Sequence, residues 1–114
     1  MSELKESLTS IAIESWRFSK VFERMLEKVE PHEQSRYVNQ YKWFQKKLNE
    51  SLNQADLRLV NLEGQAYDIG MAVTAINIED FDEEDELIVE QMIEPLIMNE
   101  QGIVKPGTVV LRKV

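Results

Sequence analysis

The 114-residue sequence contains no cysteine and a single histidine, His32. Without cysteine there is no disulfide framework, no thiolate nucleophile and no Cys-ligated zinc. One histidine excludes metal sites built on histidine pairs and argues against a Ser-His-Asp triad. Neither pair of glycines, Gly64 and Gly70 or Gly102 and Gly107, is followed by the Lys-Ser/Thr step of a phosphate-binding loop. We therefore expect a protein that is not an enzyme and holds no metal or cofactor.

Basic residues are also scarce. The chain has 13 Lys and Arg against 21 Asp and Glu, a net charge of −8. Proteins that bind nucleic acids or anionic membranes need a basic face, so we expect neither partner. No apolar run approaches the length of a membrane span, and the N-terminus lacks the apolar core of a signal peptide. The expected location is the cytoplasm.

The charge is distributed unevenly between two parts of the chain. Residues 1–56 carry nine acidic and nine basic residues, whereas residues 57–114 carry twelve acidic and four basic ones. All four glycines and two of the three prolines lie in the second part. This division predicts an α+β protein, with a helical dimerisation part at 1–56 and a small all-β head domain at 57–114.

Apolar residues in the first part recur at alternating steps of four and three, which is typical of a helix packing against other helices. This seam is formed by Leu4, Leu8, Ile11, Ser15, Phe18, Phe22, Met25 and Val29, and Ser15 is its one polar member. Pro31 interrupts the pattern and suits the first turn of a new helix. A second helix is predicted from Pro31 to about Asn53.

The two helices are predicted to fold back on each other as a hairpin. The aromatic surface of this hairpin is too large to be buried within a single hairpin. Two hairpins would close a four-helix bundle, so we expect a homodimer. The alternatives are a monomer whose hairpin packs on its own second part, or a long bent helix if Pro31 only kinks the chain. The predicted dimer interface consists of Phe18, Phe22, Met25, Tyr37, Tyr41, Phe44 and Leu48.

The second part predicts four to six short strands. Residues 57–62 and 71–78 alternate in polarity, residues 87–97 form a long apolar run interrupted by Pro95, and the chain closes on the apolar residues after Gly107. The spacing is not that of strand–helix–strand units, so we expect no parallel sheet.

An acidic run at residues 79–86 separates two of these strands. It lacks the central glycine and the alternating ligands of an EF-hand, so a solvated loop is the preferred interpretation. An acidic inhibitor that mimics DNA stays open as a weak alternative, because the charge is clustered rather than spaced like phosphates.

The second part resembles the head domain of the GrpE family, the nucleotide exchange factors of DnaK-type chaperones. The resemblance rests on the order of four segments: G-Q-A-Y-D at 64–68, M-A-V-T-A-I at 71–76, L-I-V-E-Q-M-I-E-P-L at 87–96, and G-I-V-K-P-G-T-V at 102–109. The sequence departs from the family in lacking the long N-terminal paired helix and the His-Glu-Ala-type step before the first head strand, where Ile69-Gly70-Met71-Ala72 stands. Pro95 replaces the family's turn glycine, and the acidic loop is longer than usual.

The resemblance implies a co-chaperone that binds the ATPase domain of a DnaK-type chaperone, or of a divergent DnaK-like ATPase, and promotes ADP release. By position, the implied partner-binding residues are Met92, Pro95, Gly102, Ile103 and Leu111. For Met92 and Leu111, a place in the β-domain core is an equally good interpretation. The alternative function is a dimeric adaptor with a GrpE-like head and no exchange activity.

Overall fold

The computed structural model of the chain describes residues 2–114. Two helices are followed by small β-sheets, so the predicted α+β class is confirmed. The chain forms two compact units, one that ends at Leu57 and one that spans Arg58–Val114.

The helical unit is an antiparallel hairpin of α1 (Ser2–Leu26) and α2 (Pro31–Gln54). Pro31 takes the first helical position of α2, where its missing N–H would have no partner in any case. The side chain of Gln34 donates hydrogen bonds to the carbonyl oxygens of Leu26 and Val29, at 3.0 and 3.1 Å, and so fixes the turn between the helices. The second helix agrees with the prediction, and the first ends at Leu26, before the last member of the predicted seam.

A left-handed residue ends α2. Asp56 has a φ of 55°, and the N–H of Leu57 donates to the carbonyl oxygen of Leu52 at 2.9 Å. This is the Schellman arrangement, which usually places glycine at the left-handed position.

The β unit contains two three-stranded sheets. One has the strand order β1–β4–β5 and is antiparallel throughout, and the other has the order β2–β6–β3. The strands are β1 (Arg58–Val60), β2 (Val73–Ala75), β3 (Leu87–Glu94), β4 (Leu96–Asn99), β5 (Gly102–Lys105) and β6 (Gly107–Lys113).

The expectation of no parallel pairing was wrong for one pair of strands. β2 lies parallel to β6, with Val73 opposite Gly107 and Ala75 opposite Val109. The expectation assumed that a helix must connect parallel strands. Here the connection is made by β3, β4 and β5 instead, so no strand–helix–strand spacing is needed.

The strand predicted at 71–78 is shorter than its alternation suggested. Only Val73–Ala75 form β2. The N–H of Ile76 still donates to the carbonyl oxygen of Val109 at 3.1 Å, and Asn77 then continues the pairing with its side chain. Its side-chain amide donates to the carbonyl oxygen of Leu111 at 2.8 Å and accepts from the N–H of Leu111 at 2.9 Å. A single 3₁₀ turn, Ile78–Asp80, follows.

The core of the β unit comes from both sheets and from the bend between β3 and β4. Val89, Met92, Ile97 and Val109 have no exposed surface. Pro95 separates β3 from β4, as the predicted break in the long apolar run indicated. Gly107 lies against this core, since a Cβ there would come within 2.7 Å of the Met92 methyl carbon.

Candidate interaction surfaces

One line of apolar side chains along α1 is exposed. Leu4, Ile11, Phe18 and Met25 are 65%, 60%, 65% and 58% exposed. They recur every seven residues and therefore share one face of the helix. We call these four residues the α1 stripe. The other members of the predicted seam, Leu8, Ser15, Phe22 and Val29, are half-buried.

Two grooves on the hairpin meet at Phe18 and Phe44. The first, which we call the Tyr41 groove, has a volume of about 190 Å³. The second, the Ser15 groove, has a volume of about 350 Å³ and is more open. Phe18, Ser19, Phe22, Gln40, Tyr41 and Phe44 line the Tyr41 groove. Ser10, Ile11, Glu14, Ser15, Phe18 and Phe44 line the Ser15 groove.

A network of polar side chains surrounds the Tyr41 hydroxyl in the Tyr41 groove. The Tyr41 hydroxyl accepts a hydrogen bond from the Gln45 amide at 2.9 Å and also bonds to Ser19 and Glu23. Burial raises the pKa of the Tyr41 hydroxyl to about 12, and the Glu23 carboxylate adds to the shift. The Tyr41 ring packs on Phe22 with ring centroids 5.4 Å apart. Tyr41 therefore remains neutral. Its contacts with Ser19, Phe22 and Glu23 of α1 connect the two helices.

The structure divides the predicted dimer interface into two groups. Phe18, Met25 and Phe44 are exposed and available to a partner. Phe22, Tyr37, Tyr41 and Leu48 are half-buried within the hairpin. The heptad spacing did not separate these groups, because it marks apolar positions without saying which of them the second helix covers.

Three of the five expected partner-binding residues in the β unit are core residues. Met92 and Leu111 are 0% and 2% exposed, and Pro95 is also fully buried. The remaining two, Gly102 and Ile103, lie at the turn that leads from β4 into β5, where Ile103 is exposed. Its neighbour Val104 is exposed as well and was not among the expected residues.

The β4–β5 turn has a defined conformation. Gly102 has a φ of +129°, which favours glycine, and the N–H of Gln101 donates to the Asn99 side-chain oxygen at 2.8 Å. The turn therefore presents Ile103 and Val104 on an ordered backbone.

The Asp85 side chain connects the acidic run both to itself and to β6. The Asp85 carboxylate accepts a hydrogen bond from the N–H of Asp82 at 2.8 Å and lies 3.6 Å from the Lys113 ammonium group. Glu79, Asp80, Glu83 and Glu84 are exposed. Across residues 2–114, no group of three or more His, Asp or Glu side chains is placed to hold a metal ion.

His32 is exposed at the start of α2, as its place in the helix joint predicted. Within the described part of the chain, neither helix has the length and apolar character needed to cross a bilayer. No family model, curated protein or solved structure matches this chain.

Proposed function

We propose that this chain is a GrpE-like co-chaperone that binds the ATPase domain of a DnaK-type chaperone, or of a divergent DnaK-like ATPase, and promotes ADP release in the cytoplasm. The position of the family-like segments in the fold carries the proposal. Residues 64–68, 71–76, 87–96 and 102–109 all belong to one compact β unit, and that unit follows a helical hairpin. This is the order of elements that the resemblance implies.

The proposed mechanism involves no covalent chemistry. The β unit binds the open, nucleotide-free form of the ATPase domain more tightly than the closed, ADP-bound form. By linkage, that preference weakens ADP binding by the same factor. No residue of this chain needs to touch the nucleotide.

We place the ATPase contact at the β4–β5 turn, because this turn leads into Ile103, the one exposed member of the expected set. Ile103 is 55% exposed and Val104 lies next to it on β5. An apolar residue on an ordered turn loses little conformational freedom when it enters a partner's pocket. Met92, Pro95 and Leu111 then support the turn as core residues of the same unit.

We also propose that the helical unit forms the homodimer, in a four-helix bundle. The α1 stripe and Phe44 leave an apolar surface along the hairpin that a second hairpin would cover. The charge of residues 1–56 is balanced, so two copies of this part do not repel each other strongly.

The dimer is tested by measuring the molar mass of the wild-type chain and of two variants by sedimentation. Phe44→Asp places a charge in the apolar surface and should give a monomer, because the carboxylate would be buried without a partner. Asn39→Asp adds the same charge at an exposed position of α2 and should leave the dimer intact. A wild-type monomer, or a Phe44→Asp dimer, would contradict this part of the proposal.

The exchange activity is tested by stopped-flow release of a fluorescent ADP analogue from a DnaK-type ATPase domain. The wild-type chain should accelerate release in a saturable manner. Ile103→Ser should weaken this effect about 10-fold, as expected for loss of a buried apolar contact. Ile69→Ser is the matched control, since Ile69 is 91% exposed on a different turn.

Binding without acceleration would support the adaptor function instead. The burial of three expected contact residues favours this second candidate, because a contact reduced to one turn has less surface with which to distinguish two forms of the ATPase. Absence of binding to both DnaK and a DnaK-like ATPase would overturn the family assignment.

A further inference from the structure

We infer that Ser15 and Phe18 are the specificity-determining pair of the dimer: the Ser15 groove of one copy receives the Phe18 ring of the second copy. The inference rests on the homodimer proposed above and names the side chains that select the partner. It does not depend on the exchange activity.

Phe18 has the form of an inserting side chain. Its ring is 65% exposed, and it stands where the Ser15 groove and the Tyr41 groove meet. It also belongs to the α1 stripe, whose seven-residue spacing is the pattern by which one helix inserts side chains into another. An aromatic ring at such a position contributes much of the apolar area of an interface.

Ser15 leaves room for such a ring. It is the only polar member of the eight-residue seam, and its side chain is much smaller than the leucine, isoleucine, phenylalanine, methionine and valine of the other positions. The groove above it has a volume of about 350 Å³ and apolar walls formed by Ile11, Phe18 and Phe44. A large residue at this position would fill that space from within the same chain.

A second copy of the chain fits the groove, because one surface carries both the projecting Phe18 ring and the recess at Ser15. A two-fold interface requires a self-complementary surface, in which each copy offers the same projection and the same recess. Phe18 cannot fill the groove of its own chain, since it forms one wall of it. A two-fold dimer would contain the Ser15–Phe18 pair twice.

Mixing two variants tests whether the pair forms between copies. Ser15→Phe fills both grooves of a homodimer and should weaken self-association about 10-fold or more through overpacking. Phe18→Ala leaves both grooves empty and should weaken it by a similar factor. In a mixed dimer, the filled groove faces the position that lacks a ring. The open Ser15 groove receives a native Phe18 ring, although its own Phe18 wall is missing. The mixed dimer should therefore form preferentially, as native mass spectrometry of the two chains would show.

Two controls separate this pairing from general effects. Trp43→Ala removes an aromatic ring that is 60% exposed on α2 and lines neither groove, so it should not rescue Ser15→Phe. Ser15→Ala keeps the groove open and should dimerise at least as well as the wild type. Circular dichroism of each variant confirms that the helices are retained, as expected for changes at exposed or half-buried sites.

The outcomes are distinct. Preferential formation of the mixed dimer supports the inference. A Ser15→Phe homodimer of wild-type affinity, or rescue no better than that by Trp43→Ala, overturns the pairing while leaving the dimer in place. A wild-type monomer overturns both the dimer and the pairing, whereas the ADP-release assay still tests the β unit.

Discussion

The β unit hides its large apolar side chains, whereas the helical unit displays many of its own. In the β unit, Val89, Met92, Ile97 and Val109 have no exposed surface. Along α1, the α1 stripe is about 60% exposed, and the buried residues of that helix include the small Ala12 and Ser19. The β unit therefore completes its core within one chain, while the hairpin leaves an apolar face exposed. Substitutions in the two units should therefore differ in what they weaken.

Leu111→Ala and Met25→Ala both shorten a large apolar side chain, but they should weaken different things. The first should lower the stability of the β unit, and the second should weaken self-association. Leu111 is 2% exposed, so its truncation should lower the free energy of unfolding of the β unit by about 3 kcal/mol. Met25 is 58% exposed, so its truncation should change the unfolding of a monomer by less than about 0.5 kcal/mol and weaken self-association instead.

Urea denaturation at two protein concentrations distinguishes these outcomes. The β unit is followed by the methyl NMR signals of Val89 and Val109, and the helical unit by the fluorescence of Trp16 and Trp43, the only tryptophans in the chain. The Leu111→Ala effect should not depend on concentration, whereas the Met25→Ala effect should. A concentration-independent loss of more than about 2 kcal/mol with Met25→Ala would show that the α1 stripe is covered within one chain.

Gly107→Ala should destabilise the β unit by about 2 kcal/mol through overpacking. The new Cβ would lie 2.7 Å from the Met92 methyl carbon, 3.1 Å from the Leu96 nitrogen and 3.2 Å from the Glu94 oxygen. The methionine could shift, but the two backbone atoms belong to paired strands and cannot move freely. The same NMR-detected denaturation measures the loss.

Gly70→Ala is the matched control for Gly107→Ala. Its Cβ would approach only the Asp68 side chain, at 3.5 Å, which is an ordinary contact distance. It should change the free energy of unfolding by less than about 0.5 kcal/mol. Equal effects of the two substitutions would contradict the tight packing described at Gly107.

Asn77→Ala should lower the free energy of unfolding of the β unit by about 2 kcal/mol, because both of its hydrogen bonds to Leu111 disappear. Thr74→Ala, at an exposed position of β2, should have an effect within about 0.5 kcal/mol. Amide hydrogen exchange at Leu111 provides a local measurement and should accelerate in the Asn77 variant alone. Unchanged protection at Leu111 would mean that this side chain does not hold β6.

The sequence predicted the helical unit more closely than the β unit, for physical reasons. A helix repeats over many residues, and Pro31 marks its start by a local steric rule, so α2 could be located from nearby residues. The parallel pairing of β2 with β6 and the side-chain bonds of Asn77 join residues more than 30 positions apart. No local pattern predicts such contacts.

The candidate contact residues show the same limit. Alternation on a short strand marks two faces, but it does not say which face is enclosed when a second sheet is present. Met92 and Leu111 could therefore be expected equally at a contact surface or in the core, and the structure places both in the core. Ile103 could be identified as a surface residue because it follows the glycine of a turn.

The smallest predicted effect concerns the end of α2. Asp56 holds a φ of 55°, a conformation that glycine adopts without the steric penalty of a Cβ. Asp56→Gly should therefore raise the free energy of unfolding of the helical unit by about 0.5 kcal/mol. Lys46→Gly, at an exposed position inside α2, should lower it by about 0.7 kcal/mol, because glycine disfavours a helix interior. Urea denaturation detected by tryptophan fluorescence distinguishes the gain in stability of one variant from the loss in the other. A loss of stability with Asp56→Gly would mean that the aspartate side chain stabilises this helix end by more than the left-handed backbone conformation costs.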